Sequence, residues 1–131
     1  MHDLPLVEDP ELAKINDPKV FANSKFALEE YQVDLVQNHA TKMAELVKQL
    51  PVCPVDADKI IEQHHELPNR SGRPNGLSGA RIIPLASLFI VSHDLVDYII
   101  DHPDWTFPAY VKKVKTKFLG SSFKKILSSL K

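Results

Sequence analysis

The chain has 131 residues, 44% hydrophobic and 25% charged, which suits one domain with a core and excludes a disordered protein. A formal net charge of -1 and a single cysteine exclude a general polyanion binder, a disulfide framework and a multi-cysteine zinc site. No apolar run reaches the ~18 residues of a membrane span, and the acidic N-terminus lacks a signal-peptide pattern. We therefore expect a cytoplasmic protein without a membrane span, and we do not expect nucleic acid as its partner.

The charge is distributed unevenly along the chain. Residues 1–110 hold nine Lys and Arg against seventeen Asp and Glu, whereas residues 111–131 hold seven lysines and no acid. This composition shift predicts a domain at 1–110 followed by a basic helical tail at 111–131, with a helix break at Gly120. A solvated amphipathic helix is one interpretation of the tail, and contact with an anionic surface is the other.

Helix signals dominate from the N-terminus onward. Asp9-Pro10 and Asp17-Pro18 predict short helices at about 10–16 and 18–23, because a capping residue followed by proline favours a helix start. Ser24 can cap a longer helix at about 25–50. The inward stripe predicted for this longer helix, with spacings of three and four, consists of Leu28, Tyr31, Leu35, His39, Met43, Leu46 and Leu50.

Two further helices are predicted at about 56–66 and 84–101, with a loop rich in glycine and proline at 67–82 between them. The helix at 84–101 is apolar on nearly every side, so we expect it to run through the core. No segment shows a sustained alternation of apolar and polar residues. The fold class predicted is therefore all-α, an irregular helical bundle.

Several polar side chains are unexpected in these apolar helices. An ionised Asp94 in a buried run is costly unless it pairs with a base, of which Arg81 is the nearest in sequence, or binds a metal ion. His39 lies on an inward stripe, and the adjacent His64 and His65 end a helix. Imidazole and carboxylate together suit iron, manganese or zinc, and two such ions sharing a carboxylate can serve phosphodiester hydrolysis.

The order of these residues resembles the HD-GYP family, a branch of the HD-domain metal-dependent phosphohydrolases. The resemblance covers about residues 1–100. It is carried by His2-Asp3, His39, His64-His65-Glu66, the loop Ser71-Gly72-Arg73-Pro74-Asn75-Gly76-Leu77, Ile83-Pro84-Leu85-Ala86 and Asp94-x-x-Asp97. It implies a helical bundle of HD-domain type that lacks the family's first helices. It also implies hydrolysis of the bacterial second messenger cyclic di-GMP to a linear dinucleotide or to GMP.

The resemblance implies a site as well as a fold. The positions that match the family's metal ligands are His2, Asp3, His39, His64, His65 and Asp94. Asp3 is the carboxylate that bridges two ions, and Asp3 and His39 are the implied catalytic residues. The positions that match its substrate contacts are Gly72, Arg73, Pro74 and Asp97. Two divalent ions are implied, or three if His65 holds its own, with iron or manganese expected.

The chain departs from the family pattern in three places. Leu6 stands where the family has a lysine, Arg73 stands where it has the tyrosine of GYP, and nothing before His2 supplies the family's opening helix. We therefore expect an impaired cyclic di-GMP phosphodiesterase, and the alternative is a catalytically degenerate regulatory or interaction module. A receiver or other signalling domain upstream, and a homodimer, are compatible with both.

Overall fold

The computed structural model describes residues 2–10, 12 and 28–130. Its elements are a 3-10 helix at Leu4–Glu8 and the α-helices α1 (Glu30–Lys48), α2 (Ala57–Gln63), α3 (Pro84–Asp101), α4 (Phe107–Val114) and α5 (Ser121–Ser129). Within these described ranges no strand forms, and Asn69 and Ser78 make an isolated bridge. The all-α prediction is confirmed. The helices predicted at 10–16 and 18–23 fall almost entirely outside the described residues.

Helix α1 packs against α2 and the 3-10 helix, with a different inward face from the predicted one. Its buried residues are Gln32, Val36, His39, Ala40, Met43, Ala44 and Val47. His39 and Met43 are buried as predicted, but Tyr31, Leu46 and Leu50 are exposed. The predicted stripe was wrong because it followed the largest apolar side chains, whereas the packed face uses alanine and valine at the same helical spacing.

The N-terminal segment is fastened to the start of α1 by the buried carboxylate of Asp9. This carboxylate accepts hydrogen bonds from the Tyr31 hydroxyl (2.7 Å), the Gln32 side-chain amide (3.1 Å) and the backbone amide of Leu12 (3.0 Å). A capping box in which Gln32 bonds back to the Glu29 amide fixes the same turn. Asp9 thereby holds the segment that carries His2 and Asp3 against the helix that carries His39.

The second half of the molecule has its own core, built from α3, α4 and α5. This core contains Ile82, Ala86, Ile90, Val91, Tyr110, Val114, Phe118 and Phe123. The boundary expected at 110/111 therefore falls inside α4 and inside this core. The basic region is an amphipathic helical pair whose apolar side packs on α3, and it is not a detached tail. The break at Gly120 is present, at a φ of 122° that favours glycine.

Helix α3 has the predicted bounds, but it does not run through the core. Its buried residues are Ala86, Ser87, Ile90 and Val91. The apolar residues of the opposite side, among them Leu85, Leu88, Val96 and Ile100, are exposed, and Ile100 keeps 72% of its surface. In the part of the chain that the structure describes, no helix combines the length and hydropathy that crossing a membrane requires.

Candidate metal centre

Five histidines and one aspartate from four segments meet where the two halves of the molecule join. His2 and Asp3 precede the 3-10 helix, His39 lies on α1, His64 and His65 follow α2, and His93 lies on α3. Their nitrogen and carboxylate atoms form two groups that could each hold a metal ion. One group is Asp3, His39, His64 and His65, and the other is His2, Asp3 and His93, with the ligand atoms of each within 4.8 Å of one another.

The first group is centred on one oxygen of Asp3. The Oδ1 atom lies 3.3 Å from Nε2 of His39 and 3.4 Å from Nε2 of His64. The Nε2 atom of His65 lies 3.0 Å from Nε2 of His39. Both His39 and His64 are fully buried inside this group, so their ring nitrogens have no access to bulk water.

Backbone contacts decide which nitrogens of these imidazoles are available. Nδ1 of His39 faces the carbonyl of Val36 at 2.8 Å, and Nδ1 of His64 faces the carbonyl of Ile61. A carbonyl only accepts, so each Nδ1 must carry the proton, and in the neutral ring Nε2 is then a bare lone pair. Orientation of a histidine by a partner on its second nitrogen is the usual arrangement around protein-bound metals.

Burial disfavours the protonated forms of His64 and His65. It lowers the pKa of His64, against the opposing effect of Asp3, and it lowers the pKa of His65 to about 2, with further lowering by His64. For Asp3, burial raises the pKa, but the imidazoles of His2, His39 and His64 outweigh it and hold the pKa well below its usual range. An ionised Asp3 therefore calls for a proton or a cation among the ring nitrogens that face it.

Three buried atoms of this centre have no hydrogen-bond partner among the residues that the structure describes: Nε2 of His2, Oδ1 of Asp3 and Nε2 of His64. Converging acceptors of this kind are unfavourable together unless a proton or a cation lies between them. One divalent ion in each of the two groups would satisfy all three atoms. The donor set, imidazole with carboxylate, fits manganese, iron or zinc.

The second group uses the other oxygen of Asp3. Its Oδ2 atom lies 2.9 Å from Nε2 of His2. Nδ1 of His93 lies 3.2 Å from the Asp97 carboxylate, one helical turn further along α3, which leaves the second nitrogen of His93 for a ligand role. Each oxygen of Asp3 therefore faces a different group, which is the placement expected of a carboxylate shared by two ions.

The structure brings together His2, Asp3, His39, His64 and His65 of the predicted ligands, but it places Asp94 elsewhere. The Asp94 carboxylate contacts Nζ of Lys117, and not the predicted Arg81, and it joins neither ligand group. His93, one residue earlier, takes that place. Adjacent residues project about 100° apart around a helix axis, so His93 and Asp94 face different neighbours. The His93–Asp97 pair at helical spacing was the sequence signal that the ligand assignment missed.

The loop after His65 is held in place by the buried carboxylate of Glu66. It accepts the backbone amides of Asn75 (2.7 Å) and Leu77 (2.6 Å). Gly72 packs on the backbone of the same turn, where a Cβ atom would lie 2.1 Å from the Leu67 nitrogen. The predicted substrate contacts Gly72 and Pro74 thus belong to a rigid turn, and Arg73 projects from it.

A cavity of about 590 Å³ opens beside the centre. Its wall includes His64, His65 and His93 from the ligand groups together with Gly72, Arg73, Asp94 and Asp97. The volume lies within the roughly 300–1,000 Å³ typical of small-molecule sites. Arg73 and Asp97 therefore line a space in which a ligand could reach the histidines.

No protein-family model, curated protein or solved structure matches this chain. The features that bear on function are therefore the sequence motifs and the site itself. The site is a carboxylate shared by two groups of imidazoles, with a ligand-sized cavity beside it.

Proposed function

We propose that this chain is a metal-dependent phosphodiesterase of the HD-GYP type, with weakened activity, that hydrolyses cyclic di-GMP. The observation that supports the chemistry is the position of Asp3, whose two oxygens face two different groups of imidazoles. Two ions that share a carboxylate suit in-line displacement at a phosphodiester. The choice of substrate rests on the resemblance of the HHE and Ser71–Leu77 segments to the family.

The residues divide between two ions as follows. Asp3, His39, His64 and His65 would hold one ion, and His2, Asp3 and His93 would hold the other. Manganese or iron is the expected metal, because both accept mixed imidazole and carboxylate ligands. When bound, such ions supply Lewis acidity and neutralise charge on the phosphate.

The protein contributes orientation. The carbonyls of Val36 and Ile61 fix the rings of His39 and His64, and Asp97 fixes His93. The ring of Phe89 packs edge-on against His2 at 5.3 Å between centroids and gives the centre an apolar wall. Arg73, on the rigid loop held by Glu66, would bind a phosphate oxygen with its guanidinium. We expect these contacts to orient a phosphodiester without rearrangement of the loop.

The experiment is a paired measurement of metal content and turnover. The purified chain is loaded with Mn²⁺, its metal is counted by mass spectrometry, and cyclic di-GMP hydrolysis is followed by chromatography. We expect two equivalents of Mn²⁺ and slow formation of the linear dinucleotide or GMP. Asp3→Ala should lose both metal and turnover, whereas Asp34→Ala, at an exposed carboxylate of α1 paired with Lys42, should lose neither. A chain that binds no metal, or an Asp3→Ala variant that still turns over, would refute the proposal.

A non-catalytic regulatory module is the second candidate, and Leu6 is the observation that favours it. At the position where the resemblance places a phosphate-binding lysine, Leu6 offers no charge, which could remove about 1.5–3 kcal/mol of stabilisation. Under this alternative the chain binds Mn²⁺ and cyclic di-GMP but releases no product. Full metal loading without turnover over long incubation would select it over the enzyme.

A further inference from the structure

Two lysines of the basic C-terminal region line the cavity beside the metal centre. Lys113 lies on α4, and Lys117 lies one helical turn later; both form the wall that faces Arg73 and the histidines. We propose that Lys113, Lys117 and Arg73 form a phosphate-binding wall, and that the site therefore takes a dinucleotide with two phosphates, one at the metals and one at the wall. This inference rests on the proposed function and deepens it.

The acids of the cavity are already engaged by other groups. Glu66 accepts two backbone amides, Asp97 pairs with His93, and Asp94 contacts Lys117. Arg73 and Lys113 therefore keep their charge for a ligand, whereas Lys117 shares its charge with Asp94. One guanidinium and two ammonium groups thus line the cavity beside the histidines, an arrangement suited to a polyanionic ligand.

Arg73 and Lys113 lack a carboxylate partner among the described residues. Lys113 Nζ lies 4.5 Å from the centroid of the Tyr98 ring, a contact that positions the ammonium without neutralising it. Arg73 is half-buried, and burial lowers its pKa against the opposing effect of the Asp3 charge. A guanidinium that is partly desolvated and has no paired anion is prepared to bind phosphate, since its fork matches two phosphate oxygens.

Lys117 can serve two groups at once. One hydrogen of its ammonium reaches Asp94, and an ammonium has three to donate. The contact with Asp94 and the packing of Nζ 5.1 Å from the Phe118 ring centroid hold the side chain at the rim. A fixed ammonium loses less side-chain entropy when it binds a phosphate than a free one would.

Helical spacing separates these two lysines from their neighbours. Lys113 and Lys117 are four residues apart and share the face that lines the cavity. Lys112 and Lys115 do not line it, although all four lysines are exposed. If this basic segment only contacted solvent, all four lysines would have the same surroundings. The pair also supplies cations to a cavity in which Leu6 replaces the lysine expected from the resemblance.

The test compares two variants with the same loss of charge. One is the double variant Lys113→Gln/Lys117→Gln, and its control is Lys112→Gln/Lys115→Gln from the same segment. The probe is a phosphorothioate analogue of cyclic di-GMP that resists hydrolysis, titrated by calorimetry with Mn²⁺ and again with EDTA. We expect the first variant to bind about tenfold more weakly and the control to bind like the wild type. Lys117→Arg, which keeps the charge and the Asp94 contact, should bind nearly as the wild type.

Metal stoichiometry, measured on the same samples, separates the two proposals. If Mn²⁺ binds normally but both double variants bind the analogue like the wild type, the phosphate wall is wrong and the metal centre stands. If Mn²⁺ does not bind but only the first variant weakens the analogue, the wall stands and the phosphodiesterase is wrong. A wild-type chain that binds the analogue in neither condition overturns the wall. Circular dichroism of each variant identifies any loss through unfolding.

Discussion

The ammonium of Lys117 meets the carboxylate of Asp94, and this contact joins the basic C-terminal segment to the helix that borders the metal centre. Asp94 is the acid that the sequence predicted as a metal ligand, and its contact with Lys117 keeps it out of the centre. The neighbouring His93 lies beside His2 instead, with ring centroids 5.2 Å apart. Helix α3 thus places the imidazole of His93 at the metal centre and the carboxylate of Asp94 at the rim of the cavity.

The first prediction separates these two neighbours on α3. His93→Ala should lower Mn²⁺ binding from two equivalents to one, because the group of His2, Asp3 and His93 loses a ligand while the group around His39 keeps all of its own. Asp94→Asn should keep both equivalents. Calorimetric titration with Mn²⁺ measures the stoichiometry, and the control is His102→Ala, at the residue that follows α3, whose ring contacts the Tyr98 carbonyl. The reverse pattern would mean that Asp94 leaves Lys117 to bind the metal.

Glu66 gives a prediction about stability. Glu66→Ala should lower the free energy of unfolding by about 2–4 kcal/mol, because two part-buried backbone amides, those of Asn75 and Leu77, lose their charged acceptor. Urea denaturation measures the change. Glu62→Ala, whose carboxylate makes a single long contact of 3.4 Å with the Asn75 side chain, should change the stability little. Equal effects of the two substitutions would show that Glu66 does not hold the loop.

The sequence predicted what depends on local pattern. Pro84 set the start of α3, Gly120 set the break before α5, and the histidines of the HH pair and of α1 converge as the motif implied. The face of α1 was mispredicted because residue size does not determine which side meets α2. The choice between His93 and Asp94 depends on Lys117, which lies 23 residues away and reaches Asp94 only through tertiary packing. The Asp94-x-x-Asp97 motif therefore cannot predict the contact between Lys117 and Asp94.

Gly72 supplies a prediction about the substrate loop. Gly72→Ala should destabilise the fold by about 1–3 kcal/mol, because the new Cβ would meet backbone atoms of Leu67 and Glu66 at 2.1–2.5 Å and the turn would have to open. The displaced turn carries Arg73, so binding of the phosphorothioate analogue should also weaken. Thermal unfolding and calorimetry measure the two effects. The control is Ser71→Ala at the exposed neighbouring position, and a Gly72→Ala variant as stable as this control would contradict the close packing.

Tyr110, in the second core, should make the stability of the protein depend on pH in the alkaline range. Burial first, and then the charge of Asp94, raises the pKa of its phenol well above its ordinary value, and its hydroxyl donates to the Val91 carbonyl at 3.1 Å. Because the folded-state pKa lies above the unfolded value, the protonated phenol contributes its full stability below pH 10. That contribution is lost as the pH rises above about 10 and through the raised folded-state pKa. Tyr110→Phe should be less stable by about 1 kcal/mol at pH 7, since the hydrogen bond is gone. Denaturant unfolding of both proteins at several pH values should show the wild type losing its advantage above pH 10. Every other titrating group, the lysines included, is common to the two proteins, so parallel pH curves would show that the Tyr110 phenol is not held protonated by the core.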